Sequence, residues 1–482
     1  MGFSSPTRRR LRLLSFAVLA HLLGAYSSLD ALMSTRTSQG TIAWIVSLNT
    51  FPYIAVPAYW VFGRDRFQGY VISRRDDDSN LAITMAPKLH ELWSHQFEPP
   101  EANSQLSAVE RLAKLPFLAH NRAELLIDGE AAFDSIFEGI KTAERYLLVQ
   151  FYIVRDDQLG RKLHDHLVER AQAGVEVYFL YDEIGSYQLP SSYVQSLREA
   201  GVEVHHFHST RGLRNRFQLN FRNHRKIVVA DGERAWMGGM NVGDEYLGIN
   251  MDLGPWRDTH LKLEGPAALA LQMVFVEDWY WATEQIPDLD WQPAPQNSHK
   301  TLPVLILPSG PADRFETASL MMQQAIQSAQ QRIWIASPYF VPDEGVLNTL
   351  KLAALRGVDV RILIPEVPDN PLLYYAAYAF IGPLLDAGVE VFRYQNGFLH
   401  GKAFLVDHHG AGVGTVNLDN RSFRLNFEVT AIVLDADFAA EVEAMFIQDF
   451  TLSRRMLMED LENLSLRHRV FSRGAYLFAP VL

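Results

Sequence analysis

The pattern His-x-Lys-x4-Asp occurs twice in this chain, and both copies fall inside a longer internal repeat. His224, Lys226 and Asp231 make the first copy, and His400, Lys402 and Asp407 make the second, 176 residues on. Gly238 and Asn241 follow the first at the same distances as Gly414 and Asn417 follow the second. Upstream, Ala173-Gly174-Val175-Glu176-Val177 is answered by Arg356-Gly357-Val358-Asp359-Val360. Glu199-Ala200-Gly201-Val202-Glu203-Val204 is answered by Asp386-Ala387-Gly388-Val389-Glu390-Val391, and Tyr152 by Tyr339. Internal repetition constrains a fold strongly, because both copies have to be built from the same elements. Each copy reads as apolar strand, loop, helix, Gly-Val strand, helix, Gly-Val strand. That is the alternation of an α/β domain with a largely parallel sheet. The expected layout is two such domains, 116–285 and 301–482. A Pro- and Asn-containing linker over 286–300 joins them, and a polar, partly helical connector over 71–115 precedes them.

His and Lys two apart on a strand share a face. The residues after each Lys are apolar, Ile227-Val228-Val229-Ala230 and Ala403-Phe404-Leu405-Val406, as a buried strand requires. Asp231-Gly232 and Asp407-His408-His409-Gly410 then read as hairpin turns. With loops at 231–234 and 407–410, the return strands bring Asn241 opposite His224 and Asn417 opposite His400. Gly239 and Thr415 fall opposite the lysines, where glycine would let an oxyanion approach the backbone. Asp231 and Asp407 land at the turns, a structural position.

One such patch is half a site. Two similar halves about a pseudo-twofold axis would bring two imidazoles and two ammonium groups around one anion. With one imidazole neutral and the other protonated, the first can attack phosphorus and the second can donate to the departing oxygen. The lysines and asparagines would hold the non-bridging oxygens. This set of cations leaves no need for a metal, and no cofactor is expected. Each imidazole needs a carboxylate at its other nitrogen. Glu428 and Asp258, which follow their motifs at similar distances, are the candidates. Tyr152 and Tyr339 end strands near the site and serve core packing or substrate contact. The His205-His206-x-His208 and His408-His409 clusters lack partner ligands at metal-binding spacing and read as loop histidines.

The N-terminus is different in kind. After Arg8, Arg9, Arg10 and Arg12, residues Leu13 to Leu29 carry no formal charge, and neither do Thr41 to Gly63. A bilayer core needs about 20 helical residues. The expectation is a transmembrane hairpin within residues 1–70, with helices about 12–33 and 41–63, the second kinked at Pro52 and Pro57. A signal peptide fits less well, because no small-x-small cleavage site stands near Asp30 and a second apolar run follows closely. Four arginines precede the first run, and Arg64, Arg66, Arg74 and Arg75 follow the second, against Arg36 alone in the link. The positive-inside rule then puts both ends and the whole large remainder in the cytoplasm, as expected of a multi-pass membrane protein. Composition adds exclusions. A net charge of −12 argues against a broad grip on nucleic acid, and the absence of cysteine excludes thiol nucleophiles, Cys zinc sites and disulfides.

At the paired motifs the chain resembles the phospholipase D superfamily. The apolar hairpin, Gly-Gly-Met-Asn-Val-Gly-Asp-Glu-Tyr (238–246), Ser-Pro-Tyr-Phe-Val-Pro-Asp-Glu (337–344) and Gly-Thr-Val-Asn-Leu-Asp-Asn-Arg-Ser-Phe (414–423) resemble the bacterial cardiolipin synthase family within it. The resemblance spans nearly the whole chain, except that Leu464 to Leu482 is less typical. It implies that His224, Lys226, Asp231, His400, Lys402 and Asp407 form the catalytic set. It also implies transfer of a phosphatidyl group from one phosphatidylglycerol to another through a phosphatidyl-histidine, with cardiolipin and glycerol as products. By the family's pattern His224 is the nucleophile and His400 the acid/base, an assignment the internal symmetry makes reversible. The motifs leave open a hydrolase that passes the intermediate to water, and phosphatidylethanolamine as the donor. Acidity and the hairpin oppose a nuclease, and two complete motifs oppose a non-catalytic scaffold. The sequence is silent on oligomeric state.

Overall fold

A computed structural model of the chain describes residues 6–34, 37–63, 80–99, 104–207, 220–249, 252–292 and 302–482. Arg36, Arg64, Arg66, Arg74, Arg75 and His208 lie outside the described residues, as does the linker beyond Gln292.

The N-terminal apolar runs fold as three helices, Pro6–Ser34, Ser38–Thr50 and Pro52–Phe62. Thr37 caps the second, its hydroxyl accepting from the Gly40 amide. The second run was expected as one helix with kinks. It is instead divided at Phe51, whose ψ of 58° leaves the helical region just before Pro52 opens the third helix. Among the described residues, Arg9–Met33 is the one helical stretch long and apolar enough to cross a bilayer. Polar contacts tie the first helix to the other two: Tyr59 donates to Asp30 at 2.9 Å, Trp60 to Ser27 at 3.0 Å and Asn49 to Ser28 at 2.8 Å. Asp30 therefore makes a polar contact between helices.

The α/β body is organised by its strands. In the first half these are β1 (Leu118–Ile127), β2 (Tyr146–Phe151), β3 (Glu176–Asp182), β4 (Glu203–Phe207), β5 (Arg222–Asn223), β6 (Ile227–Ala230), β7 (Arg234–Gly238), β8 (Trp256–Arg257) and β9 (Thr259–Glu264). In the second they are β10 (Leu302–Ser309), β11 (Arg332–Ala336), β12 (Phe340–Val341), β13 (Asp359–Pro365), β14 (Glu390–Tyr394), β15 (Phe398–Leu399), β16 (Ala403–Val406), β17 (Gly410–Gly414), β18 (Leu418–Asp419), β19 (Asn426–Val433) and β20 (Ser453–Arg455).

Among the described residues one continuous sheet runs β20-β14-β13-β11-β16-β17-β19-β10-β1-β9-β7-β6-β2-β3-β4. The order β4-β3-β2-β6-β7-β9-β1 of the first half reappears in the second as β14-β13-β11-β16-β17-β19-β10, and the halves join through antiparallel β1 and β10. The expectation of a largely parallel sheet is corrected. β2-β3-β4 and β11-β13-β14 are parallel, while the remaining strands of the main path pair antiparallel. The cause is the motif itself, since a hairpin turn after His-x-Lys can only return antiparallel, whereas Gly-Val strands reached through helices return parallel.

One core cluster runs through both halves, from Leu148, Val229 and Leu263 to Ile335, Leu405 and Val433. Helix Pro266–Thr283, apolar all round, is buried within it. The connector is more than a link. Leu81, Met85 and Leu92 of helix Asn80–Trp93, and Val109 and Ala113 of helix Ser104–Ala113, belong to that core.

Candidate active site

Both hairpins close one residue sooner than the spacing suggested. Ala230 pairs with Arg234 and Val406 with Gly410, leaving three-residue turns that open on Asp231 at φ 56° and Asp407 at φ 50°. Gly238 and Gly414 therefore lie opposite Lys226 and Lys402, in place of Gly239 and Thr415. Gly239 does a different job from the one expected. A Cβ there would stand 2.1 Å from Asp258 Oδ1, so the missing side chain makes room for a carboxylate of the protein.

Two short strand pairings then cross between the halves. β5 runs parallel to β19, and the His224 amide donates to Phe427 O at 2.9 Å, which brings Glu428 beside His224. β15 runs parallel to β8, and the His400 amide donates to Arg257 O at 2.8 Å, which brings Asp258 beside His400. Each imidazole takes its carboxylate from the other half. His224 Nδ1 is 2.8 Å from Glu428 Oε2, and His400 Nδ1 is 2.6 Å from Asp258 Oδ2. With Nδ1–H donating to a carboxylate, Nε2 keeps its lone pair.

The carboxylates are themselves held. Glu428 Oε1 accepts from Ser422 Oγ at 2.8 Å and from Asn426 Nδ2 at 3.1 Å, and Asp258 Oδ1 accepts from the Thr259 amide at 2.7 Å. Arg225, between His224 and Lys226, is fully buried. It donates to Asp278 at 2.7 Å and, across the halves, to Glu428 O at 3.0 Å. Arg257 makes the counterpart tie to Asp449, at 2.9 and 3.0 Å.

His224 and His400 line one cavity of about 630 Å³, together with Asn241, Asn417, Tyr152 and Tyr339. Tyr152 packs edge-on against the His224 ring at 5.0 Å, and Trp256 lies 5.3 Å from the His400 ring. Asn241 Oδ1 accepts from the Ile153 amide at 3.1 Å, while Asn417 Oδ1 is buried without a protein partner. The lysines are buried beneath the rings. Lys226 Nζ donates to His224 O at 2.6 Å, and Lys402 Nζ donates to His400 O and stands 2.9 Å from His400 Nδ1.

Asp231 and Asp407 are not brought to the imidazoles. At the far ends of their hairpins, Asp231 accepts from the amides of Glu144, Arg145 and Tyr146, at 2.9, 2.7 and 3.0 Å. Asp407 accepts likewise from the amides of Gln330, Gln331 and Arg332. Of the other histidines, His205 packs on Trp279, and His408 meets Arg332 and Gln331.

Burial governs the protonation states. It lowers His224 to about 4, against the pull of Glu428. It lowers His400 to about 3, with the Lys402 ammonium adding to the effect. Both rings are thus neutral at pH 7, whereas one was expected to be protonated. Burial also depresses Lys226 strongly and brings Lys402 to about 8. Burial would raise the two carboxylates, but Lys402 and His400 hold Asp258 below its usual range, and His224 and Lys226 do the same for Glu428.

Several cavity residues were not found from sequence: Arg155, Tyr246, Asp369, Asp419 and Arg421. Burial pushes the Asp419 carboxyl up to about 6. The signal for three of them was adjacency, since Tyr246, Asp419 and Arg421 sit in the strings that follow Asn241 and Asn417. Arg155 and Asp369 carried none. Val481 and Leu482 also line the cavity, which gives a place to a segment whose role was open.

The chain is similar to known proteins along most of its length. The family model described as "Cardiolipin synthase, PLD-like domain" matches residues 136–279 and 322–450, and that described as "Phospholipase_D-nuclease N-terminal" matches 13–64. Cardiolipin synthase A of Pseudomonas putida (strain W619) is 48% identical over 468 residues, covering 96% of this chain and 97% of that protein. Cardiolipin synthase A of Pseudomonas aeruginosa (strain LESB58) is likewise 48% identical, covering 96% of this chain and 94% of that one. In fold alone, the crystal structure of phosphatidylserine synthase from Haemophilus influenzae Rd KW20 is similar, with a TM-score of 0.60 at 17% identity, covering 79% of this chain and 100% of that one. The duplicated motif, the α/β body and the near full-length identity agree: this chain belongs to the cardiolipin synthase family of phospholipase D-like phosphatidyltransferases.

Proposed function

We propose that the chain transfers a phosphatidyl group between two phosphatidylglycerol molecules, with both imidazoles acting on one phosphorus. Neutral His224 Nε2 attacks the phosphodiester, a P–N bond forms, and the P–O bond to glycerol breaks. His400 gives the departing glycerol oxygen its proton. The hydroxyl of a second phosphatidylglycerol then attacks the phosphatidyl-histidine, His400 takes that hydroxyl's proton, the P–N bond breaks, and cardiolipin leaves. The single observation that carries this reading is the pair of rings on one cavity, each with a carboxylate at Nδ1.

Burial holds both rings neutral, so the acid has to gain a proton when substrate binds. A phosphodiester anion entering the cavity adds negative charge beside bases that burial has depressed, and it pulls them back up. The imidazole that then takes a proton is the acid. Lys226, Lys402, Asn241 and Asn417 hold the non-bridging oxygens, the lysines by turning from the histidine carbonyls toward the ligand. Asp231 and Asp407 support the site by fixing the strand ends. The matching strand orders on either side of β1 and β10 support a pseudo-twofold relation between domains 116–285 and 301–482. The apolar helices support a two-span hairpin that keeps the enzyme in the membrane where both substrates reside, with the body in the cytoplasm by the arginine rule. The acidic net charge speaks against nucleic acid as substrate.

Reconstitution with labelled phosphatidylglycerol and mass spectrometry of the lipids tests the reading. Cardiolipin and free glycerol are expected, and both disappear in His224→Ala. Phosphatidate without cardiolipin would make the chain a hydrolase. Cardiolipin carrying label only when phosphatidylethanolamine is supplied would change the donor.

A further inference from the structure

The segment that follows helix Met458–Glu462 is basic in an acidic chain. From Asn463 to Leu482 there is no Asp or Glu, while Arg467, Arg469 and Arg473 give a local charge of +3 in a chain whose net charge is −12. Ser465 caps helix Leu466–Tyr476. Its inner face is short: Ser472 and Ala475 are buried, and His468 packs against Tyr375 and Tyr378 of helix Pro371–Asp386. The opposite face is apolar and open. Leu466 is 73% exposed, Val470 62% and Leu477 78%, at i, i+4 and i+11, so they form one stripe. By helical spacing Arg469 and Arg473 flank the stripe on one side and Arg467 on the other. Phe478, at 54% exposure, extends it.

This stripe is continuous with the active site. Two residues beyond Phe478 the chain passes Pro480, and Val481 and Leu482 line the catalytic cavity beside Arg421. The Arg421 amide donates to Leu482 O at 2.7 Å, which ties the segment to the helix that follows Asn417 and Asp419. Helix Pro371–Asp386, on which the segment packs, contributes Leu373 to the same cavity wall.

We infer that helix Leu466–Tyr476 and Leu477–Phe478 lie on an anionic bilayer surface and form the entry by which lipid reaches the cavity. Apolar side chains flanked by arginines, in a stretch without Asp or Glu, match a surface of acyl chains under anionic headgroups. A partner protein or a second copy would also cover apolar groups, but the all-cationic border and the run of chain into a lipid-handling cavity favour the bilayer. The inference rests on the proposed lipid chemistry for its meaning, though its physical content can be tested without turnover.

The chain has no cysteine, so a single Val470→Cys carries one environment-sensitive fluorophore on the full-length protein. A Gln195→Cys label on the exposed face of helix Ser191–Glu199 serves as the control. In nanodiscs of phosphatidylcholine with phosphatidylglycerol, the label at 470 is expected to shift to the blue, less so in pure phosphatidylcholine or high salt, and the label at 195 to stay unchanged. Replacing Arg467, Arg469 and Arg473 by Gln weakens the interaction by about fivefold per arginine. The triple variant Leu466→Ser, Val470→Ser, Leu477→Ser is expected to lose turnover of bilayer phosphatidylglycerol while keeping turnover of a short-chain, water-soluble phosphatidylglycerol. Equal loss on both substrates overturns the entry role. An unshifted label at 470 overturns the surface itself, and so does a blue shift that needs no lipid and grows with protein concentration, which would assign the stripe to a second copy. The label shift is also measured in the His224→Ala protein. A shift there, with no cardiolipin made by the wild type, would sink the proposed reaction and leave the membrane surface standing.

Discussion

At the scale of single residues, the site is a set of bases held uncharged by burial and aimed by carboxylates. His224 and His400 each present a neutral ring because removing an imidazolium from water costs more than Glu428 or Asp258 returns. Glu428→Gln keeps the shape of the contact with His224 and removes its charge. Transfer is expected to fall by about 10²–10⁴-fold with substrate binding largely kept, as steady-state kinetics on defined lipid would show. The pH profile carries a second expectation. A nucleophile with its pKa lowered from 6.5 to about 4 stays competent in mild acid, so the acid limb of kcat/KM lies below 6.5. The alkaline limb falls near 8, where Lys402 loses its proton, and Lys402→Arg moves it upward. Stability has a definite sign as well. Between the unfolded value and the lowered folded value, the unfolded chain binds more protons than the folded one. Stability is therefore lost as pH falls through 6.5 toward about 3, the folded value of His400, and His400→Asn flattens that loss in thermal melts.

At the scale of elements, the motif hairpins separate chemistry from architecture. His and Lys occupy one end of each hairpin and Asp the other, where it satisfies three backbone amides at the start of β2 or β11. Asp231→Ala removes those bonds and is expected to cost about 2–3 kcal/mol of stability, seen as a lower Tm. The activity of the molecules that remain folded should stay within a few-fold of wild type. A wild-type Tm with lost activity would instead make Asp231 a chemical participant. These hairpins were legible because everything that defines them lies within a few residues: alternation, apolar filling and a turn residue. The register was off by one because the closing geometry depends on a positive φ at Asp231 and Asp407, which the residue types permit but do not dictate. Glu428 and Asp258 were legible as carboxylates, but their crossing was not. It depends on β5 pairing with β19 and β15 with β8, and two-residue strands leave no periodic pattern to read. The break at Phe51 was also hidden, since Pro52 and Pro57 both permit a kink and packing on the first helix decides which one opens.

At the scale of the whole molecule, the two halves are one machine. A single sheet and one core cluster run through both, and neither His224 nor His400 finds its carboxylate in its own half. Arg257 reinforces the crossing with a buried ion pair to Asp449, and Arg225, itself paired with Asp278, does so through the Glu428 carbonyl; breaking either pair would leave an uncompensated charge. Duplication was plain in the sequence, because several patterns recur in the same order at similar offsets, which single residues cannot show. What the duplication assembles, one cavity with two rings, follows from tertiary packing. The central claim is that these rings serve one phosphorus through a covalent intermediate. Acid quenching of a single turnover with acyl-labelled phosphatidylglycerol, followed by peptide mass spectrometry, tests it most directly. A phosphatidyl adduct is expected on the His224 peptide, decaying as cardiolipin appears and persisting in His400→Ala. Cardiolipin formed at the wild-type rate by His224→Ala, with no histidine adduct at any time, would contradict the account.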